Sequence, residues 1–211
     1  MTLPPRFAGH RWSFQTLKSA TAPRPTHTFE VFLDYSCPYS ARFYLRMVNE
    51  LAPWVEKTYP GKVDFILRQQ IQSWHYTASL LHESVLMVER LNPSKFWEYS
   101  TRLFEHHKEF DDERVVDLTR NQIYQRLGEH AAAVGIDKQA FLDGLVITKN
   151  EQGGNKGNQV SADIKWHLRF ARERGAHITP TVFWDGTRVD GMDSGWDMDK
   201  LKDWFGKQNV D

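Results

Sequence analysis

The chain has 211 residues, which is enough to bury a full hydrophobic core in one large domain or in a domain with a sizeable insertion. Its 27 Lys and Arg residues balance 27 Asp and Glu residues, so net charge favours neither nucleic acid nor an anionic membrane as a partner. No apolar run approaches the ~20 residues of a membrane-spanning helix. The single cysteine, Cys37, excludes an intrachain disulfide and is typical of a reducing compartment.

The first 27 residues bear on the expected compartment. They lack the apolar stretch of a secretory signal, and no acidic residue precedes Glu30, a bias that organellar transit peptides share. Prolines and aromatic residues such as Pro4, Pro5 and Phe7 are instead typical of a segment that packs against a domain. We therefore predict that residues 1–27 form an N-terminal extension packed on the domain, and that the protein is cytoplasmic rather than mitochondrial.

Hydrophobic spacing predicts a β-α-β unit in the first third of the chain. Alternating apolar residues over 28–34 and 62–67 are typical of two strands. Between them, apolar residues at helical spacing predict a helix over 39–58, with a kink or break expected at Pro53. Residues 10–17 are a candidate edge strand.

The middle of the chain, residues 74–150, is predicted to form four helices. The apolar stripe of the first helix starts at Tyr76, and that of the second runs from Phe96 to Phe110. The third begins with a capping box at Thr119, in which side chain and backbone bond reciprocally across the first turn. The fourth is expected over 137–148.

Strand-like spacing returns near the end of the chain. A loop at 152–157 and a long helix at 158–174 come first. A β-hairpin then follows over 178–190, with its turn at Asp185-Gly186. A final helix is predicted over 194–207.

Cys37 lies where the first predicted strand gives way to a helix. Pro38 suits the first helical turn, because its missing N–H would have no helical partner there. At such a place, free backbone N–H groups and the helix dipole favour the thiolate. We therefore predict a partly exposed, nucleophilic Cys37; the alternative is a buried, inert structural cysteine.

The motif Cys37-Pro38-Tyr39-Ser40 resembles the active-site motif of the thioredoxin superfamily, most closely its DsbA-like branch of disulfide oxidoreductases. That branch carries Cys-Pro-x-Cys, whereas Ser40 replaces the second cysteine here. The longer stretch from Asp34 to Ser40 is also similar to kappa-class glutathione transferases and 2-hydroxychromene-2-carboxylate isomerases, whose equivalent segment reads Ser-Pro-Tyr-Ser.

Thr179-Pro180 carries a second resemblance. Thioredoxin-like proteins have a cis-proline just before an edge strand, facing the active-site cysteine, and Pro180 stands in the matching place. The resemblance implies an α/β thioredoxin-like fold over 28–73 and 151–211, with a DsbA-like helical insertion over 74–150. It also implies a cis Thr179–Pro180 bond near the Cys37 sulfur.

Three functions remain open, because a chain with one cysteine cannot cycle an internal disulfide. We favour a monothiol oxidoreductase in which Cys37 forms a mixed disulfide with glutathione or a client thiol. The alternatives are a glutathione-binding transferase or isomerase of kappa-class type, and a catalytically inactive thioredoxin-like binding protein. The predicted catalytic residues are Cys37 and Ser40, with the Ser40 hydroxyl donating to the sulfur. The predicted substrate-binding residues are Pro38, Tyr39, Thr179, Pro180 and His75.

The histidines of the middle block do not predict a metal site. His82-Glu83 lacks the second histidine of the zinc motif His-Glu-x-x-His, and no cysteine is available as a further ligand. His75 is instead expected to line the cleft. No permanently bound cofactor is expected, and glutathione would act as a co-substrate. Thiol-containing small molecules or peptides are the expected partners, without nucleic acid or membrane, and the sequence leaves the oligomeric state open.

Overall fold

The computed structural model describes residues 3–13 and 27–210. Its strands form one mixed sheet in the order β1-β3-β2-β4-β5. β2 and β3 pair in parallel, and the other neighbours are antiparallel. The strands are β1 Arg11–Trp12, β2 His27–Leu33, β3 Val63–Gln69, β4 Thr181–Trp184 and β5 Thr187–Arg188.

The two central strands are those that the alternating apolar residues predict. Phe29 pairs with Phe65 and Val31 with Leu67, so matching apolar side chains share a face of the sheet. The predicted edge strand is present as β1, which pairs with β3. The rest of that prediction, residues 14–17, lies outside the described residues.

Helices cover both faces of the sheet and form the middle of the chain. Those of the described ranges are α1 Pro38–Arg46, α2 Ala52–Thr58, α3 Ala78–Leu91, α4 Phe96–Glu105, α5 Asp112–Val115, α6 Arg120–Ala133, α7 Lys138–Leu145, α8 Ser161–Glu173 and α9 Met198–Gly206. None of them is long and apolar enough to cross a membrane.

Near Pro53, where a kink or break was predicted, the chain stays helical but changes its hydrogen-bond pattern. A π-helical turn, Met47–Leu51, separates α1 from α2 and ends two residues before the proline. Proline has no N–H to donate to the preceding turn, and a widened turn accommodates that loss.

The helical middle confirms most of the predicted starts and stops. Thr119 caps α6 with both bonds of a capping box. Two expectations were wrong: Tyr76 precedes α3 and is exposed, and α4 ends at Glu105. Phe110 ends a separate 3-10 turn, His107–Phe110, but is buried all the same.

One continuous hydrophobic core joins the sheet to the helical middle. Phe29 and Val31 of β2 belong to it together with Leu86, Tyr99 and other residues of the helices. Phe32 points to the opposite face of the sheet, where Phe170, Ala171, Ala176 and Phe183 surround it. The proposed division into a thioredoxin-like part and a helical insertion therefore describes the order of elements along the chain. It does not separate two hydrophobic cores.

Buried polar contacts join residues 3–13 to this core, while residues 1–2 and 14–26 of the predicted extension lie outside the described residues. His10 is fully buried, with Nδ1 3.1 Å from a Glu89 carboxylate oxygen and Nε2 3.0 Å from Gln69 Nε2. Gln69 Oε1 in turn contacts His82 Nδ1. Burial raises the pKa of Glu89 to about 8, which favours a neutral link between its carboxyl and His10.

Candidate active site

Cys37 is the N-cap residue of α1, and Pro38 is the first residue of the helix. The Cys37 N–H donates to the Asp34 carbonyl at 3.1 Å, and the Cys37 carbonyl accepts the N–H of Ala41 at 3.0 Å. The side chain therefore sits at the start of the helix, as the sequence predicts. The expected partial exposure is wrong, because only 4% of Cys37 is accessible.

The segment before β4 lies against the cysteine. The Thr179–Pro180 peptide bond is cis, which is the geometry that the resemblance implies. The Cys37 thiol donates to the Thr179 carbonyl across 3.8 Å, and both Thr179 and Pro180 are buried. This contact explains the low exposure of the sulfur. Gln72 Nε2 also approaches the Thr179 hydroxyl at 3.4 Å, so the loop after β3 meets the same segment.

Ser40 is completely buried and bonds to the strand that precedes the helix. Its hydroxyl oxygen accepts the Asp34 N–H at 3.2 Å. Within the described residues no hydrogen bond joins Ser40 Oγ to the Cys37 sulfur, so this geometry does not support the expected donation to sulfur. A catalytic role for Ser40 stays a prediction, and its visible role is to hold α1 against the end of β2.

Asp34, which sequence reasoning did not single out, is the most connected polar group of the site. One carboxylate oxygen accepts the Ser36 N–H at 2.8 Å. The other accepts the Gln72 N–H at 2.8 Å and lies 2.9 Å from His75 Nδ1. His82 Nε2 lies 3.6 Å away, beyond ordinary hydrogen-bond length. The signal in the sequence was an acidic residue directly after the apolar run 31–33 at the end of β2.

The pKa of Asp34 is held below its ordinary value. Burial of the carboxyl raises the pKa, but the interactions with His82, His75 and the Ser36 N–H lower it by more in total. Asp34 is therefore ionised at neutral pH and only accepts hydrogen bonds. His75 Nδ1 must then donate to this carboxylate, which fixes the orientation of the imidazole.

A cleft of about 450 Å³ opens beside Cys37. Its wall contains the residues on either side of the cysteine, Ser36 and Pro38, together with His75, Thr77 and residues 110–114. The Thr77 hydroxyl donates to the Phe110 carbonyl at 2.9 Å and lies 3.1 Å from the Ser36 hydroxyl. The helical middle thus supplies part of the cleft, and His75 lies where the sequence analysis expected it.

Exposed apolar side chains are concentrated next to the site residues. Tyr39 follows Pro38, Trp74 and Tyr76 flank His75, and Ile178 precedes Thr179. More than half of each of these four side chains is accessible, at 58, 63, 62 and 57%. Exposed apolar groups that gather at one place are typical of a surface that binds another molecule.

A second cluster of polar side chains, outside the cleft, was missed by sequence reasoning. His106, Glu109 and His130 offer ligand atoms that all lie within 4.8 Å of one another. His106 and Glu109 are three residues apart, but His130 comes from α6, 21 residues beyond Glu109. The prediction of no metal site considered only neighbours along the chain.

A cysteine at a helix N-terminus, a facing cis-proline and a mixed sheet with a helical block between its halves define a thioredoxin-like α/β fold of DsbA type. The family model described as Thioredoxin matches residues 22–203, and the chain belongs to this family. A comparison with curated protein sequences found no match.

Solved structures share the fold at low sequence identity. A "putative protein-disulfide isomerase" from Pseudomonas syringae is 22% identical, with a TM-score of 0.70 over 95% of this chain and 98% of that one. Oxidised BdbD from Bacillus subtilis is 18% identical, with a TM-score of 0.62 over 88% and 89%. MdbA, a thiol-disulfide oxidoreductase from Actinomyces oris, is 17% identical, with a TM-score of 0.58 over 86% and 78%.

Replacing Asp34 by Asn should destabilise the protein in a pH-dependent way. Because the pKa of Asp34 is lower in the folded than in the unfolded chain, its ionised form stabilises the fold above the unfolded pKa of about 3.9. That contribution is lost as the pH falls through the folded pKa. Urea unfolding of wild type and Asp34→Asn should therefore differ most near pH 7 and converge in acid.

Asp111→Asn is the matched control, since Asp111 is an exposed aspartate of the cleft that His75 lines. Its free energy of unfolding should follow that of wild type at every pH. A difference between wild type and Asp34→Asn that stays constant from pH 7 to acid would contradict the assigned ionisation of Asp34.

Proposed function

We propose that this protein is a monothiol thiol-disulfide oxidoreductase that acts through Cys37 by mixed disulfides. The observation that carries the proposal is the placement of the only thiol at the N-terminus of α1, 3.8 Å from the Thr179 carbonyl. Disulfides are attacked by the thiolate, and free N–H groups at a helix N-terminus are groups that can stabilise such a charge. The solved structures of similar fold include proteins described as thiol-disulfide oxidoreductases, which agrees with this proposal.

The reaction consists of two exchanges at one sulfur. First, the Cys37 thiolate attacks a disulfide R–S–S–R′, forming a Cys37–S–S–R bond while R′–S⁻ leaves and takes up a proton. Second, an external thiolate R″–S⁻ attacks the R sulfur, forming R–S–S–R″ and returning Cys37 as thiolate. The chain gains no electrons over the cycle. Because the chain has no second cysteine to release the mixed disulfide, an external thiol R″–SH must do so, and glutathione fits this role.

The residues around Cys37 have separable roles in this proposal. The extended backbone at Thr179 would pair with a client chain as an added strand. His75 is oriented by Asp34 and lines the cleft, and we propose its imidazole as the group that exchanges the thiol proton. Because Cys37 is almost inaccessible, a client must displace the contact between its sulfur and the Thr179 carbonyl before attack.

The exposed apolar side chains indicate which kind of client binds. Tyr39, Trp74, Tyr76 and Ile178 are each more than half exposed and are sequence neighbours of site residues. A polypeptide with apolar side chains near its cysteine would cover them. We therefore propose that Cys37 forms its mixed disulfides with polypeptide clients, and that glutathione is the external thiol that releases them.

A glutathione-binding transferase or isomerase is the second candidate. The shielding of the Cys37 sulfur favours it, because such an enzyme holds glutathione without covalent attachment and needs no attack by the protein thiol. The motif between Asp34 and Ser40, similar to kappa-class transferases, supports the same reading.

Intact mass after incubation with oxidised glutathione separates the candidates. We expect wild type to gain one glutathione, because Cys37 attacks the disulfide and releases one reduced glutathione. Cys37→Ser should gain none. If wild type gains no mass while reduced glutathione protects Cys37 from alkylation, the transferase or isomerase replaces the oxidoreductase as the favoured function. If there is neither a mass gain nor protection, only the catalytically inactive binding protein remains.

Ser40→Cys should create a dithiol site. The new sulfur lies one helical turn from Cys37, so mild oxidation should remove two hydrogens from the intact mass, and the variant should reduce insulin disulfides. Losing the acceptor for the Asp34 N–H costs about 1 kcal/mol, which the fold should tolerate. Ser36→Cys is the control, since its sulfur would not lie on the helix. A folded Ser40→Cys variant that forms no bridge would contradict a thioredoxin-like arrangement of these two positions.

Trp74→Ala tests the apolar client surface. We expect its reaction with a disulfide-containing peptide rich in apolar residues to slow roughly tenfold, because truncating an aromatic anchor costs an interface upwards of about 1 kcal/mol. Its reaction with oxidised glutathione should be unchanged. The control is Leu91→Ala, which removes an exposed apolar side chain at the end of α3. Equal slowing with peptide and glutathione would argue against a surface specific for polypeptides.

A further inference from the structure

We propose that His106, Glu109 and His130 bind a divalent metal ion, for which Zn²⁺ has the best-matched ligand preferences. The site is separate from Cys37 and does not depend on the function proposed for it. Two imidazoles and one carboxylate are a recurrent donor set for zinc that keeps a fourth position open.

The three side chains already converge on one point. Glu109 bridges the histidines, with one carboxylate oxygen 2.7 Å from His106 Nδ1 and the other 3.0 Å from His130 Nε2. Ligand atoms about 2.0–2.2 Å from a tetrahedral zinc lie about 3.3–3.5 Å from each other. A small outward turn of the Glu109 carboxylate would therefore give the ion its place.

The surroundings of His130 fix the position of this ligand. Its side chain is only 7% exposed and packs against the Phe110 ring, with ring centroids 5.7 Å apart, and against the His106 ring at 5.0 Å. Its Nδ1 is buried and has no hydrogen-bond partner in the described ranges. Nε2 is thus the ring nitrogen that faces Glu109 and is free to act as a ligand, and a neutral ring ligating through it carries its proton on Nδ1.

The open coordination position has room beside it. Glu109 and His130 line an open pocket of about 470 Å³, together with Arg114, Arg126 and Glu129. Apart from the two ligands, the lining holds two arginines and one glutamate, Glu129, so these residues add a net charge of +1. Water or a small anion would complete the coordination, since the arginines favour a negative fourth ligand.

The site is one residue away from the cleft beside Cys37. Glu109 directly precedes Phe110, and Phe110 lines that cleft. The Phe110 carbonyl accepts a hydrogen bond from the Thr77 hydroxyl. A bound ion would tie the turn that carries Glu109 to α6, and would thereby hold this part of the wall of the cleft.

The test uses the full chain in the Cys37→Ser background, which removes thiol binding of metal. After treatment with a chelator, the protein is titrated with Zn²⁺ by calorimetry and with Co²⁺ by visible absorption. We expect one ion per chain with micromolar or tighter affinity, and the intense d–d bands of four-coordinate Co²⁺. His106→Gln and Glu109→Gln should weaken binding at least about tenfold, since even outer-shell changes weaken metal sites by this much.

His107→Gln is the matched control, because the neighbouring histidine bonds to the Phe104 carbonyl and lies outside the cluster. It should bind both ions like the parent. His106→Gln and Glu109→Gln change partly exposed side chains, so they should fold even if a His130 variant does not. Absence of saturable binding, or equal binding in the parent, His106→Gln and Glu109→Gln, would overturn the proposal and leave the cluster as an ion pair only.

Discussion

The buried carboxylate of Asp34 is the interaction on which the arrangement around Cys37 depends. An ionised group in an apolar interior is costly unless its oxygens are engaged, and those of Asp34 accept from the turn before Cys37, from the loop after β3 and from His75. Its backbone carries two more bonds, to the N–H of Cys37 and to the hydroxyl of Ser40. One residue therefore fixes the strand end, the helix start and the cleft wall relative to each other.

The local rules of chain geometry were enough to predict most of the fold. The change from strand to helix at Cys37 and the capping box at Thr119 each depend on residues close in sequence, and each is confirmed. Near Pro53, where a kink or break was predicted, the helix instead continues through a π-helical turn. The errors arose where packing decides: Tyr76 has the spacing of a buried stripe, yet α3 starts two residues later and leaves it exposed. The DsbA-like architecture itself followed from the resemblance of two motifs and not from periodicity.

The site could be predicted only as far as its motifs reach. The sequence located Cys37 and its facing Pro180, but not the burial of the sulfur, because that depends on the Thr179 carbonyl lying across it. Asp34 was overlooked because its partners come from a loop about forty residues further on. The cluster around Glu109 was overlooked for the same reason: its members meet only when α6 packs on the turn after α4.

The lone thiol has a kinetic consequence for any mixed disulfide formed at Cys37. In a dithiol protein the second sulfur resolves the adduct from within, at effective concentrations that intramolecular reactions raise by orders of magnitude, up to about 10⁵–10⁸ M. With Ser40 in that place, release is bimolecular, so the lifetime of the adduct depends on the concentration of thiol outside. Such a protein would hold its client until the surrounding thiol pool becomes reducing enough to free it.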